Sequence, residues 1–163
     1  MQSRQAEFER IAIPQSGSLL RFACRLTNNR ASAEDLVQET LLQAWRSFHQ
    51  FEPESNIRAW LFRILVNRFY GQGRRSRLEP AMVPLSAGIR SRAATTDETL
   101  EVLEALEQLP SEQRAVLLLG VVEGFTCNEV SKILSVPIGT VMSRLSRARR
   151  ALREKLNPVS MAV

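Results

Sequence analysis

The sequence predicts an all-α protein built from two small helical domains that are joined by a flexible linker. Apolar residues recur at three- and four-residue steps through most of the chain, which is the spacing of one helix face. From Ser76 to Thr96 this period is lost and Pro, Ser, Ala, Arg and Thr dominate. So long a loop is unusual inside one compact domain. We therefore expect a first domain at 1–75, a linker at 76–96 and a second domain at 97–163.

Composition limits the classes of function. The chain has 163 residues, of which 44% are hydrophobic, enough for real cores. The net charge of +5 suits a nucleic-acid partner without proving one. No run of 18 apolar residues exists and the N-terminus lacks an apolar signal core, so we expect no membrane insertion and a cytoplasmic location.

The cysteine and histidine content predicts neither a metal site nor a cofactor. Cys24 and Cys127 lie far apart, and His49 is the only histidine. This spacing forms no zinc motif and no disulfide framework. Each cysteine is expected to be a small buried apolar residue, although the sequence leaves a redox role open.

The first domain begins with an interrupted helix. Apolar spacing over about Gln5 to Leu26 is broken around Pro14 and Gly17, and a polar connection follows. Ser32 with a carboxylate three residues later matches a capping box, which predicts that the next helix covers about 33–48.

This second helix has a core stripe and a mixed face. The core stripe consists of Val37, Leu41, Ala44 and Phe48. The mixed face consists of Asp35, Gln38, Glu39, Leu42 and Arg46. A solvated surface and a docking surface for a partner helix are both compatible with that composition, and the spacing alone does not separate them.

A third helix is predicted from about Ile57 to Tyr70, where Gly71 and Gly73 should end it because each costs about 1 kcal/mol in a helix. One side of it consists of Trp60, Arg63, Asn67, Tyr70 and Arg74. Aromatic rings interleaved with cations and amides can stack on unpaired bases. The alternative is that Trp60 is a core residue and Arg63 a surface charge.

The second domain starts with a helix predicted by the capping-box pair Thr95 and Glu98. Leu109-Pro110-Ser111 separates this helix from another at about 112–122.

A helix-turn-helix is predicted at the end of the second domain. Thr126 and Glu129 form a capping box that begins one helix. Ser135-Val136-Pro137 ends it, because proline disfavours a helical conformation at the residue before it, and a longer helix restarts near Ile138. The outward side of the longer helix is polar and cationic, with Thr140, Ser143, Arg144, Arg147 and Arg150. The second helix of such a motif reads the DNA major groove. An ordinary helical hairpin with a solvated arginine face is the alternative.

Charge segregation favours the DNA-binding interpretation. Between Asp97 and Glu129 there are eight acids against Arg114 alone, whereas Val130 to Val163 holds seven Lys or Arg against Glu154 alone. One end of this domain should therefore attract phosphates and the other should repel them.

Four segments resemble, in the family's order, the bacterial extracytoplasmic-function sigma factors of the sigma-70 family. These segments are AEDLVQET at 33–40 with Ala44-Trp45, RAWLFRILVN at 58–67, Leu109-Pro110 with Gln113-Arg114, and VPIGTV at 136–141 with Ser143-Arg144-Leu145 and Arg147-Ala148-Arg149. The resemblance covers nearly the whole chain apart from the linker. It implies a dissociable specificity subunit that performs no bond chemistry.

The resemblance also implies partners and site residues. The expected partners are core RNA polymerase, through its beta-prime clamp helices and beta subunit, promoter DNA and an anti-sigma factor. Core polymerase should bind Asp35, Gln38, Glu39 and Leu42. Combined with the stacking side, the resemblance assigns the minus-ten element to Ser55, Asn56, Trp60, Arg63, Asn67 and Arg74. Combined with the outward side of the last helix, it assigns the minus-thirty-five element to Thr140, Met142, Ser143, Arg144, Ser146 and Arg147.

The chain departs from the family pattern at a few positions. Met142 stands where many members carry arginine, and methionine cannot make arginine's bidentate contact to guanine. Tyr70 and Gly71 stand where members often have polar or acidic residues.

Two other classes of protein are weighed against this one. A stand-alone repressor or activator would leave the aromatic side of the first domain unexplained. A nucleic-acid enzyme would need clustered carboxylates or a placed nucleophile, which the sequence lacks.

Overall fold

The computed structural model describes residues 2–76 and 97–157, and the side chains of 3–73 and 97–157. All regular secondary structure in these ranges is helical, which confirms the predicted fold class. The chain divides into two compact units, Met1–Gly88 and Ile89–Val163. Of the predicted linker, Ser76 belongs to a helix and 77–96 lie outside the described residues.

The first unit contains four α-helices and two single 3₁₀ turns within its described residues. They are α1 Gln2–Ile11, a turn at Ile13–Gln15, α2 Ser16–Thr27, α3 Arg30–Ser47, a turn at Phe48–Gln50, and α4 Ile57–Ser76. The predicted interruption near Pro14 is confirmed, since proline occupies the tight turn between α1 and α2. Asn28 follows the last residue of α2 as its C-cap, with a left-handed φ of 53° that asparagine tolerates.

The start of α3 differs from the prediction. Asn29, and not Ser32, is the capping residue, because its side chain accepts a hydrogen bond from the Ser32 backbone amide at 2.9 Å. Asparagine is among the strongest N-capping residues, and here it precedes the competing serine. α3 therefore begins at Arg30, three residues before the predicted start at Ala33.

The end of α4 also differs from the prediction, because the helix continues through both glycines to Ser76. A contact with α3 lies between the two glycines, where Gln72 Nε2 donates to Glu39 Oε2 at 2.8 Å; one turn before Gly71, Arg68 Nη1 lies 3.7 Å from the same oxygen. Tertiary contacts of this kind override a weak local propensity. The idealised Cβ positions of Gly71 and Gly73 meet nothing within 4 Å.

The core of the first unit lies between α2, α3 and α4. Fully buried side chains from these helices are Leu19, Phe22 and Leu26, Leu36, and Leu61, Phe62 and Leu65. The rings of Phe22 and Phe62 meet edge to face at 5.1 Å. Burial of each such side chain contributes roughly 1.5–3 kcal/mol. This core fixes the side of α3 that faces outward.

The second unit contains α5 Asp97–Glu107, α6 Ser111–Leu117, a π-helical turn at Leu118–Val122, α7 Cys127–Leu134 and α8 Ile138–Leu156. The predicted helix at 112–122 is thus divided, because the backbone amide of Glu123 donates to the Leu118 carbonyl at 2.9 Å, five residues back, and widens the last turn. Gly124, at a φ of 75°, permits the turn into α7. Thr95 of the predicted capping box lies outside the described residues.

Arg114 joins α6 to the end of α5. Its guanidinium donates to the carbonyls of Leu106, Glu107 and Leu109 at 2.9, 2.7 and 2.9 Å. The last carbonyls of a helix have no partner within the helix, so the guanidinium satisfies carbonyls at the end of α5 and in the segment that follows it. The one base among the eight acids of this region therefore has a structural role. Beneath it, Leu106, Leu109 and Leu117 pack with Ala148 of α8.

Candidate functional site

The helix-turn-helix consists of α7 and α8. Thr126 Oγ1 accepts a hydrogen bond from the Glu129 amide at 3.2 Å, and Glu129 Oε1 accepts from the Thr126 amide at 3.3 Å. The predicted capping box is therefore confirmed. At the other end, Ser135 takes a left-handed φ of 54°, and Ser131 Oγ donates to the Val136 carbonyl at 2.6 Å. These bonds hold the break before Pro137.

The outward face of α8 contains most of the residues predicted to contact the minus-thirty-five element. Val141 and Ala148 are buried and orient the helix. Met142, Ser143, Ser146 and Arg147 are exposed on the opposite side, while Thr140 in the first turn is half-buried. The exposed side therefore offers one long apolar side chain, two hydroxyls and a guanidinium.

Arg144 lies at the edge of this face rather than on it, contrary to the expectation from spacing. Its side chain is 22% exposed and its Nη2 lies 3.4 Å from Glu112 Oε2 of α6. The arginine thus connects α8 with α6. Sequence spacing could not reveal this pair, because Glu112 lies on another helix.

The mixed face of α3 contains the residues predicted to bind core polymerase. Asp35, Gln38 and Leu42 are exposed, and Leu42 is 55% exposed despite being apolar. Glu39 is half-buried and is held by the contacts with α4 described above. Three of the four residues are therefore accessible, and the fourth is fixed by its neighbours.

Trp45 belongs to the same face, and sequence reasoning did not select it. Trp45 is 37% exposed and lies one turn from Leu42. The Arg4 guanidinium of α1 lies 5.1 Å from the ring centroid, and Arg4 Nη2 donates to the Trp45 carbonyl at 3.2 Å. The three-residue spacing of Trp45 from Leu42 was the available signal.

The loop between α3 and α4 has internal hydrogen bonds at both residues predicted to contact the minus-ten element. Ser55 Oγ donates to the Glu52 carbonyl at 2.7 Å. Asn56 Oδ1 accepts from the amides of Arg58 and Ala59 at 3.0 and 3.2 Å, which makes it the cap of α4. Both side chains remain exposed, so the loop is preformed and accessible.

An aromatic cluster supports this loop. Phe51 stacks on Phe48 with ring centroids 5.7 Å apart, and Trp60 lies 5.2 Å from Phe51. Trp60 is half-buried, so part of its ring packs and part is accessible. Arg63 and Asn67 are exposed further along α4, whereas the Arg74 side chain lies outside the described residues.

The cysteines do not form a paired site. Cys24 and Cys127 are both free thiols and half-buried. Burial raises the pKa of the Cys24 thiol, with Glu34 raising it further and Arg30 and Arg25 opposing the rise. A raised pKa reduces the thiolate fraction, and the thiolate is the reactive form.

Metal-binding clusters and membrane-spanning helices are both absent from the described residues. Within 2–76 and 97–157, no group of three or more His, Cys, Asp or Glu side chains could hold a metal ion. No helix in those ranges is long and apolar enough to span a membrane.

Comparisons with known proteins identify both units. Residues 16–78 match the Sigma-70 region 2 family, and residues 99–152 match the Sigma-70 region 4 family. The chain is 40% identical over 139 residues to the ECF RNA polymerase sigma factor EcfG of Rhodopseudomonas palustris, covering 83% of this chain and 77% of EcfG. It is 35% identical over 150 residues to the ECF RNA polymerase sigma factor SigL of Mycobacterium tuberculosis, covering 88% and 85% of the two chains.

Solved structures are similar over the same extent. The sigma factor RpoE, in complex with the anti-sigma factor NepR from Bartonella quintana, has a TM-score of 0.75 and 34% identity over 93% of this chain and 97% of that chain. CnrH, in complex with the cytosolic domain of CnrY, has a TM-score of 0.71 and 25% identity over 95% and 90%. The matches cover both units and the helix-turn-helix. The chain belongs to the extracytoplasmic-function sigma factors of the sigma-70 family and acts as an RNA polymerase sigma factor in promoter-specific transcription initiation.

Proposed function

We propose that the chain is a detachable specificity subunit whose two units divide the work of holding polymerase and reading DNA. The mixed face of α3, with Asp35, Gln38, Glu39 and Leu42, binds the beta-prime clamp helices of core RNA polymerase. The second unit binds the minus-thirty-five element with α8, close to the beta subunit. The protein itself makes and breaks no covalent bond, and it works in the cytoplasm with the polymerase.

The contrast between two outward faces supports this assignment. α3 presents acids and amides around an exposed leucine and an exposed tryptophan, which is a surface suited to a partner helix. α8 presents hydroxyls and arginines, which suit bases and phosphates. Each unit need bind only weakly, because attachment to one polymerase raises the effective concentration of the second contact.

For the minus-ten element, we propose that the loop containing Ser55 and Asn56 receives an extruded base. Extrusion costs a few kcal/mol, which a preformed pocket must offset. The internal hydrogen bonds of the loop and its aromatic support at Trp60 reduce the ordering cost on binding. Arg63, Asn67 and Arg74 extend along α4 and would follow the separated strand, so the unit assists melting.

For the minus-thirty-five element, we propose that Met142, Ser143, Ser146 and Arg147 contact DNA directly and that Thr140 adds a contact from the first turn. Arg144 is assigned a different role, because its pairing with Glu112 favours a link between α8 and α6. The helix then keeps its angle to the rest of the unit while its exposed side enters the groove.

An anti-sigma factor is the proposed regulator. Two proteins similar to this chain have been solved as complexes: RpoE with the anti-sigma factor NepR, and CnrH with the cytosolic domain of CnrY. The exposed Leu42 and Trp45 on α3 give an inhibitor an apolar anchor on the polymerase-binding face. Masking that face would prevent assembly with polymerase.

Reconstituted transcription with purified core polymerase on genomic fragments tests the proposal. Arg147→Ala should weaken promoter-directed transcription and leave core binding unchanged. Asp35→Arg should weaken core binding, measured by co-elution with polymerase, so each variant serves as the other's control. If both variants changed only the affinity for free DNA, the assignment of faces would be wrong.

A band shift on duplex DNA without polymerase separates this function from that of a stand-alone repressor. A sigma factor of this kind should bind the promoter weakly by itself and strongly with core polymerase. Equal binding in both conditions would contradict the proposed division of work.

A further inference from the structure

The exposed side of α8 changes character along its length. From Ile138 to Ser146 its exposed residues are uncharged, and from Arg147 onward they are mostly basic. The uncharged exposed residues are Ile138, Gly139, Met142, Ser143 and Ser146, and the exposed arginines are Arg147, Arg149, Arg150 and Arg153. In this motif the residues at the N-terminal end of the second helix reach base edges. The exposed arginines, which can bind phosphates, therefore lie further along α8 than the base-reading end.

Met142 is the longest side chain within the uncharged part, and it is apolar. It is 57% exposed, and Ile138, one turn earlier on the same side, is 46% exposed. Gly139 and Ser143 are its small exposed neighbours, and an ideal Cβ at Gly139 would meet nothing within 4 Å. Met142 is therefore the most exposed large apolar side chain at this end of α8.

The chemistry of methionine restricts what it can recognise on DNA. It has no hydrogen-bond donor, and its thioether is only a weak acceptor. The major groove offers one apolar group at its base edges, which is the C5-methyl group of thymine. We propose that Met142, with Ile138 beside it, reads a thymine methyl group in the minus-thirty-five element. This inference rests on the proposed entry of α8 into the major groove.

Met142 and Ile138 form an exposed apolar patch on α8, and the charge around this patch favours DNA over a protein as its binding partner. The patch continues directly into Arg147 and the arginines of the following turns, and the stretch from Val130 to Val163 has seven basic residues against one acid. A duplex places phosphates on both sides of the groove, so an apolar reader flanked by cations fits that surface. An apolar protein partner would gain nothing from this arginine flank.

Removing single thymine methyl groups from the DNA tests the proposal. Reconstituted transcription first selects a promoter fragment, and each thymine of its upstream element is then replaced singly by deoxyuridine, which lacks only the methyl group. Holoenzyme affinity should fall about fourfold at one or two thymines, as expected for one buried methyl group, and stay unchanged at the others. Binding is measured by fluorescence anisotropy at fixed salt.

Variants of Met142 connect the effect to the protein. With Met142→Ala, the thymine and deoxyuridine duplexes should bind equally at the sensitive position, and both should bind about as weakly as deoxyuridine binds the unmodified protein. Met142→Leu keeps an apolar side chain of similar volume and should keep most of the preference for thymine. Thermal unfolding of each variant, followed by circular dichroism, should match the unmodified protein because the side chain is exposed.

Three outcomes would overturn the inference, and each is distinguishable. If the holoenzyme transcribes but no deoxyuridine weakens binding, then no thymine methyl is read. If deoxyuridine weakens Met142→Ala as much as it weakens the unmodified protein, then another residue reads the methyl. If Met142→Ala impairs core or anti-sigma binding without altering the thymine preference, the patch serves a protein. Absence of transcription from every fragment would instead refute the proposed function.

Discussion

Two arginines on α8, one turn apart, should differ in how they affect DNA binding. Arg147 is exposed, whereas the Arg144 side chain is 22% exposed and lies 3.4 Å from Glu112. Each phosphate contact contributes about −0.9 to the slope of log K against log salt concentration. Arg147→Ala should therefore make that slope shallower by about 0.9, while Arg144→Ala should leave it nearly unchanged.

The expected difference is large enough to measure. Between 50 and 200 mM salt, a slope change of about 0.9 alters the ratio of affinities by about 3.5-fold. Holoenzyme binding to a promoter duplex is measured by anisotropy across that range for both variants. A full loss of about 0.9 in the slope for Arg144→Ala would show that Arg144 leaves Glu112 to contact phosphate, and would refute the reasoning.

Glu112→Gln is the matched control because it removes the same ion pair without altering α8. Since Glu112 is 61% exposed, solvent screens the pair and its loss should cost about 0.2–1 kcal/mol of unfolding free energy. Arg144→Ala should cost at least as much, because it also removes packing of the half-buried side chain. A Glu112→Gln variant that bound DNA with a steeper salt slope would mean that the carboxylate normally restrains Arg144.

Three further predictions concern stability and reactivity. Gly71→Ala should raise the free energy of unfolding by about 0.5–1 kcal/mol, since alanine favours a helix and its Cβ meets nothing within 4 Å; a loss of stability in urea unfolding would show that α4 does not continue through this glycine. Thr126→Ala should cost about 1 kcal/mol by removing the hydroxyl that caps α7; an unchanged thermal midpoint would mean that this hydroxyl does not stabilise α7. In a Cys127→Ala background, Cys24 should react with iodoacetamide more slowly in the native protein than in urea at neutral pH, because burial raises its pKa; equal rates would contradict this.

Local signals in the sequence predicted those parts of the fold whose causes are local. The capping box at Thr126 and Glu129 and the stop at Pro137 were both confirmed, because each depends on residues within a few positions of one another. The interruption at Pro14 was confirmed for the same reason. Where two local signals competed, as at Asn29 and Ser32, the wrong residue was selected.

Predictions that depended on distant residues were less successful. Gly71 was expected to end α4, but the helix continues, and the next residue, Gln72, donates a hydrogen bond to Glu39 on α3. The π-helical turn after α6 was likewise missed, since it depends on how Glu123 reaches back to Leu118. Promoter and polymerase contacts carried over from the family remain predictions for the experiments above.

The amino-acid sequence alone predicted an all-helical chain, a helix-turn-helix with a cationic second helix, and a resemblance to sigma factors. Helical periodicity, capping and local charge depend on residues that are close together in the chain, so the sequence alone can reveal them. Three features became visible only in the folded chain: Arg144 pairs with Glu112, Asn56 caps the helix that follows its loop, and Trp45 is exposed beside Leu42. The Arg144–Glu112 pair joins two separate helices. The Asn56 cap depends on the path of its loop, and the exposure of Trp45 depends on which side chains the packing covers. None of these follows from residues that are adjacent in the sequence.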